Sequence, residues 1–121
     1  MGLIFYEDFG GKVVYRCRKC DIYLTHQCHL LSEDFVGSSG PAELFHKVYN
    51  VRHGPATRRH MMTGGHFARD VFCKRCDTLL GWYYELADRD LQQYKEDCTI
   101  LEVNLTRKET RENSECFHPD V

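Results

Sequence analysis

Cys17-Arg18-Lys19-Cys20 and Cys73-Lys74-Arg75-Cys76 are the stretches that decide how this chain folds. In each, two residues separate two cysteines, so a tight turn can aim both sulfurs at one point. Two such knuckles supply the four thiolates of a tetrahedral Zn²⁺ site. A ZnS₄ centre carries a formal charge of −2, and the Lys and Arg inside both knuckles place positive charge beside it. The segment between the knuckles, residues 21–72, is far longer than in a compact zinc ribbon. A shared metal therefore closes a long loop, as a disulfide would.

Two other readings of the same residues remain open. Cys17, Cys20, His26 and His29 could form a local C-x2-C-x5-H-x2-H site, leaving the second pair with only His66 and Cys98 nearby in sequence. Alternatively, each C-x2-C pair could be redox-active.

Outward from the knuckles, the sequence reads as short strands and turns. Leu3–Phe9 and Val13–Tyr15 are apolar runs separated by Gly10-Gly11. Residues 22–31 suit a short strand or loop, and 37–41 (Gly-Ser-Ser-Gly-Pro) a loop. Residues 43–52 read as one strand, Gly54-Pro55 as a turn, and residues 58–63 as another strand. Residues 66–73 and 78–86 form a hairpin around the second knuckle. Residues 88–93 look like one or two helical turns. From Cys98 to Thr106, Ile100, Glu102 and Asn104 alternate with Leu101, Val103 and Leu105, the pattern of a half-buried strand. Past Arg107 apolar residues nearly vanish, so a frayed tail is expected over 107–121 and a folded domain over 1–106.

Composition narrows the function. The chain has 121 residues, one domain's worth, with 42% hydrophobic and 28% charged residues. A net charge of −2, with no block of one sign, offers no basic field, so nucleic acid is not an expected partner. No apolar run is long enough to span a membrane, and the start lacks the marks of a signal peptide. Seven cysteines without a secretion signal suggest reduced thiols in an intracellular protein. Phosphate-loop, paired-carboxylate and Ser-His-Asp signatures are absent.

Beyond the knuckles, fixed positions fall into register with a known pattern: Gly40, Leu44, Asn50, Gly64, Gly81-Trp82, Tyr84, Lys95 and Glu102. Over residues 17–102 the chain resembles the Yippee family of zinc-binding proteins, which groups with the Mis18 and cereblon types of domain. The resemblance implies a mainly β fold, a β-tent of two antiparallel sheets pinned by one structural zinc on Cys17, Cys20, Cys73 and Cys76, with one short helix. It implies a small protein of nucleus or cytoplasm that is not an enzyme. Its partners would be other proteins, with a ubiquitin-ligase or cell-division assembly as the setting.

Trp82 and Tyr84 are two apart and share a face of a strand. With His66 they could wall a small aromatic pocket, as the matching Gly-Trp region does in cereblon-type relatives; the plainer reading makes both rings core residues. Asn50 reads as a buried amide serving backbone groups, and Lys95 and Glu102 as a cross-strand pair. The remaining histidines read as solvated or half-buried. The runner-up function is a thiol enzyme resembling the B-type methionine sulfoxide reductases, using Cys98. Asp97 and Glu96 beside Cys98 oppose it, because negative charge raises a thiol pKa. Cys28 and Cys116 have no identified role.

Overall fold

Val13-Val14-Tyr15 is β-branched and aromatic, the composition of a pleated, half-buried strand, and it opens the described part of the fold. The structure, a computed structural model, describes residues 12–61, 64–87 and 97–110. The expected strand at Leu3–Phe9, the turn at Gly10-Gly11 and the expected helix at 88–93 lie outside them. Nine strands are present among the described residues: β1 (Val13–Cys17), β2 (Tyr23–His26), β3 (Leu30–Gly37), β4 (Gly40–Phe45), β5 (Val51–Met61), β6 (Gly64–Cys73), β7 (Leu79–Ala87), β8 (Thr99–Glu102) and β9 (Thr106–Thr110). The helical elements among those residues are single 3₁₀ turns at Gln27–His29 and Val103–Leu105.

The strands form two antiparallel sheets, a three-stranded one in the order β2-β1-β9 and a six-stranded one in the order β3-β4-β8-β7-β6-β5. The chain is therefore mainly β with two antiparallel sheets, as the sequence implies. Tyr15, Cys17, Ile22 and Leu24 from the smaller sheet side pack against Phe45, Cys73, Leu80 and Leu101 from the larger. Each fully buried side chain of this kind contributes roughly 1.5–3 kcal/mol. A second apolar cluster, Ala42, Leu44, Tyr84, Cys98 and Ile100, borders Phe35 and Trp82.

Several elements differ from the sequence reading. The proposed strand over 43–52 is two strands joined by an irregular segment at 46–50, where Asn50 adopts a left-handed φ of 59°. Gly54-Pro55 does not turn the chain. It sits inside β5, where a register shift between His53 and Ala56 absorbs the proline's missing N–H as a bulge. The loop at 37–41 shrinks to a hairpin turn in which Gly37 and Gly40 still pair.

The stretch from Cys98 to Thr106 is not a half-buried strand. All four residues of β8 are buried, because apolar clusters cover both faces, Leu101 joining the first and Ile100 the second, and a 3₁₀ turn then redirects the chain into β9. Glu102 therefore turns inward. Its Oε1 accepts from the Ser39 backbone N–H at 2.7 Å and from the Ser39 hydroxyl at 2.6 Å, fixing the β3–β4 turn. Lys95, its expected partner, lies outside the described residues.

The tail begins later than residue 107. Residues 107–110 complete β9, which pairs with β1 from Val13↔Thr110 to Cys17↔Thr106. A ladder of backbone bonds and charge holds it rather than apolar burial: Arg16 reaches Glu109 at 3.1 Å, Arg107 donates its Nε to Asp21 at 2.9 Å, and Lys108 lies 3.7 Å from Glu43. A reading based on apolar residues misses such a strand. The remainder of the expected tail, 111–121, lies outside the described residues.

Candidate metal centre

Each knuckle sits where a strand ends. Cys17 closes β1 and Cys73 closes β6, so one knuckle joins β1 to β2 in the small sheet and the other joins β6 to β7 in the large sheet. Both turns close identically. The Asp21 N–H donates to the Cys17 carbonyl at 2.7 Å and the Asp77 N–H to the Cys73 carbonyl at 2.9 Å. Asp21 and Asp77 take the left-handed region at φ 68° and 65°, which Asp tolerates better than most residues. The side chains also act in parallel: Asp21 accepts from Arg107, and Asp77 accepts from the Arg52 Nε at 2.8 Å.

The four sulfurs converge. All lie within 4.8 Å of one another, with Cys17–Cys76 at 3.6 Å and Cys20–Cys73 at 3.4 Å. These separations are far longer than a disulfide bond of about 2.05 Å, and the four cysteines are free thiols. Bonds of about 2.3 Å in a tetrahedron put sulfurs roughly 3.8 Å apart, so the donor set fits one Zn²⁺. The Thr78 hydroxyl lies 3.0 Å from the Cys76 sulfur, an outer hydrogen bond of the kind that orients a ligand. Of the four basic knuckle residues, Arg18 gives a guanidinium N–H to the Thr106 carbonyl at 3.1 Å, tying the site to β9.

His26 and His29 do not join the sulfurs. They are fully buried, which corrects the expectation of solvated or half-buried rings, and pack on each other with centroids 4.4 Å apart. His29 Nε2 also meets the Tyr49 hydroxyl at 3.3 Å. Asn50 behaves as expected of a buried amide. It donates to the Tyr23 carbonyl at 2.7 Å, while its own carbonyl accepts from the Lys74 N–H at 2.9 Å. One residue thus couples β2 to the second knuckle. Replacing Asn50 with Ala removes the side-chain bond to Tyr23 and leaves in the left-handed region a residue without the short polar side chain that lets Asn tolerate it. A loss of about 2 kcal/mol is expected in a urea titration of the zinc-loaded protein, with Asn50→Gly less damaging because only the amide is lost.

Trp82 and Tyr84 do share a face, with ring centroids 6.4 Å apart. Tyr84 is buried in the second cluster, as the plainer reading has it, whereas Trp82 is half-buried. Its Nε1 is buried with no acceptor among the described residues. His66 is placed by backbone pairing opposite Arg59 and Ala87; its side chain lies outside the described residues.

Cys98 is buried, and burial, then the charge of Asp97, pushes its thiol pKa up. Sequence reasoning found the charge and missed the larger cause. It also missed a cleft of about 290 Å³ lined by His46, Lys47, Val48, His53, Tyr83, Asp97 and Thr99. No sequence signal joins those residues, because four separate segments supply them.

With the four sulfurs placed, comparison with known proteins becomes informative. Residues 13–118 match the family described as Yippee zinc-binding/DNA-binding/Mis18, centromere assembly. The chain belongs to the Yippee-Mis18 family. It is 44% identical to the Drosophila melanogaster protein yippee over 105 residues, 87% of each chain. It is 44% identical to human protein yippee-like 3 over 90 residues, 74% of this chain and 76% of that one. Among solved structures, the Mis18 Yippee-like domain superposes with a TM-score of 0.67 at 14% identity, covering 84% of this chain and 98% of that domain. That likeness speaks to fold alone. Yippee-type chains thus share the zinc-binding character that the four-cysteine geometry here supports. No helix among the described residues is long and apolar enough to cross a membrane.

Proposed function

We propose that the protein is a non-enzymatic interaction module of nucleus or cytoplasm, an adaptor whose zinc holds two sheets in fixed relation and whose Trp82 face meets other proteins. A ubiquitin-ligase or cell-division assembly is the setting in keeping with the family. The observation that carries this reading is Trp82: a half-buried indole on a paired strand, bordering the second apolar cluster. A part-exposed aromatic ring on such a strand suits a hot-spot contact. Proteins rather than nucleic acid are proposed as partners, because the net charge of −2 supplies no field for a phosphate backbone.

The thiol-enzyme reading is weaker. Its nucleophile would be Cys98, whose burial and neighbouring Asp97 disfavour the thiolate. Affinity capture from cells with wild-type protein and Trp82→Ala tests the proposal. A recurring partner set with wild type, reduced in the variant, is the expected result. An identical set with both, or no recurring set, removes the role given to Trp82. Turnover of methionine sulfoxide by the wild type, abolished in Cys98→Ser, overturns the non-enzymatic assignment.

A further inference from the structure

The cleft of about 290 Å³ lies away from Trp82, among side chains that the metal centre does not use. Trp82 pairs with Ile100 and Asp70, whereas its neighbour Tyr83 pairs with Thr99 and Arg69. Alternation along β7 therefore sends Tyr83 to the opposite face. There the rings of Tyr83 and His53 stack, with centroids 4.5 Å apart and planes inclined by 20°. The Tyr83 hydroxyl donates to Asp97 Oδ1 at 2.7 Å. Asp97 is exposed and holds the left-handed region at φ 63°, at the start of the run into β8. Thr99, buried on β8, and His46 and Val48, from the irregular segment after β4, complete the lining.

We propose that this cleft binds a guanidinium group, stacked on the Tyr83–His53 rings and paired with the Asp97 carboxylate.

The charge balance favours a cation. A carboxylate offers about four acceptor positions, and the Tyr83 hydroxyl takes one at Oδ1. Lys47 also lines the cleft, but its ammonium sits over the Tyr49 ring, 5.5 Å from the centroid. Tyr49 packs with Val14 and Tyr23 outside the lining. Arg69 is similarly committed, to Glu85 at 3.0 Å and to the Gly54 carbonyl at 3.0 Å. Burial, and then Arg69, lower the pKa of His53, so its ring is neutral at pH 7 and does not repel a cation. Burial and the bond to Asp97 hold the Tyr83 phenol protonated, its pKa pushed up to about 12.

A flat guanidinium suits these elements better than an ammonium. It lies face-on against an aromatic wall while its edge forks onto a carboxylate, two demands that a compact tetrahedral cation does not meet together. The cleft volume stands near the lower end of the range for ligand pockets, roughly 300–1,000 Å³. That admits one side chain or a small molecule. An arginine of a partner peptide and a free guanidino compound share this chemistry. The inference goes beyond the adaptor reading and does not depend on Trp82.

The test uses the zinc-loaded full chain. Nα-acetyl-arginine methylamide is titrated while amide chemical shifts are followed, with free arginine as a second probe. The acetylated, methylamidated forms of citrulline and lysine serve as controls. Expected are saturable shifts centred on His53, Tyr83, Asp97 and Thr99, and affinity at least about tenfold weaker for the citrulline probe, which keeps the shape and loses the charge. Asp97→Asn should weaken the arginine probe by a similar factor, and Asn tolerates the same left-handed backbone. Preference for the blocked probe over free arginine assigns the site to a peptide; the reverse assigns it to a free metabolite. Equal binding of the arginine and citrulline probes overturns the proposal. So does unaltered affinity in a folded Asp97→Asn variant, or the absence of saturable shifts at about 10 mM probe.

Discussion

Chelation of the metal, or Cys73→Ser, is expected to unfold the protein. The chain would lose its near-UV signal and its cooperative denaturant transition together. Cys17 and Cys20 come from the small sheet's edge of the core, Cys73 and Cys76 from the large sheet's, and their sulfurs meet within 4.8 Å. Structural zinc contributes on the order of 10 kcal/mol or more of apparent binding free energy, comparable with the whole net stability of a small domain. Removing one ligand leaves three thiols facing one another in the core that joins the sheets. Burial raises the thiol pKa values of Cys17 and Cys20, the latter to about 12, so those two metal-free thiols are protonated at pH 7, whereas at Cys76 the hydrogen bonds from Thr78 outweigh burial and bring the thiol down to about 6. Zinc uptake must then release protons, and affinity must fall as the pH falls. Native mass spectrometry should report one zinc per chain, lost together with the fold. A circular dichroism spectrum unchanged by chelation would falsify the claim that the metal holds the sheets together.

Gly81→Ala is expected to be as damaging as the loss of a metal ligand, although no ligand is touched. A β-carbon at Gly81 would lie 1.9 Å from the Ile100 carbonyl oxygen and 2.9 Å from its carbon. Both are backbone atoms of the adjoining strand, so the collision cannot be relieved by a rotamer change. β7 and β8 would have to separate at the point where Gly81 pairs with Leu101, a core residue. The expected loss is about 3 kcal/mol or more, measured as the shift of the denaturation midpoint of the zinc-loaded protein. Gly54→Ala is the matched control. There the nearest atom is a Phe72 ring carbon at 3.4 Å, an ordinary contact, and less than about 1 kcal/mol should change.

The site was more legible than the fold around it. Two C-x2-C knuckles name their own ligands, because that spacing has few other uses and the turn that presents the sulfurs is local. Asn50 and the shared face of Trp82 and Tyr84 were legible from local pattern: one is a polar amide inside an apolar run, the others are aromatic residues two apart on a strand. The misreadings arose where sheet position overrides local pattern. Ile100 to Glu102 alternates in sequence, yet apolar clusters lie on both faces of β8 and bury it on each side. Gly54-Pro55 reads as a turn, yet a bulge in β5 accommodates it. β9 has little apolar character and is held by its ladder to β1. The guanidinium cleft was invisible because His53, Tyr83 and Asp97 meet only after β5, β6, β7 and β8 are in register.

The pairing of β1 with β9 also bears on how the protein is made. Val13 must find Thr110, nearly the full described length of chain away. Both knuckles precede the last strand of the small sheet in the chain and leave the ribosome before it. Until then the free edge of β1 is exposed to other nascent or unfolded chains. A chain ending ahead of residue 106 would leave the β1 edge without its β9 partner.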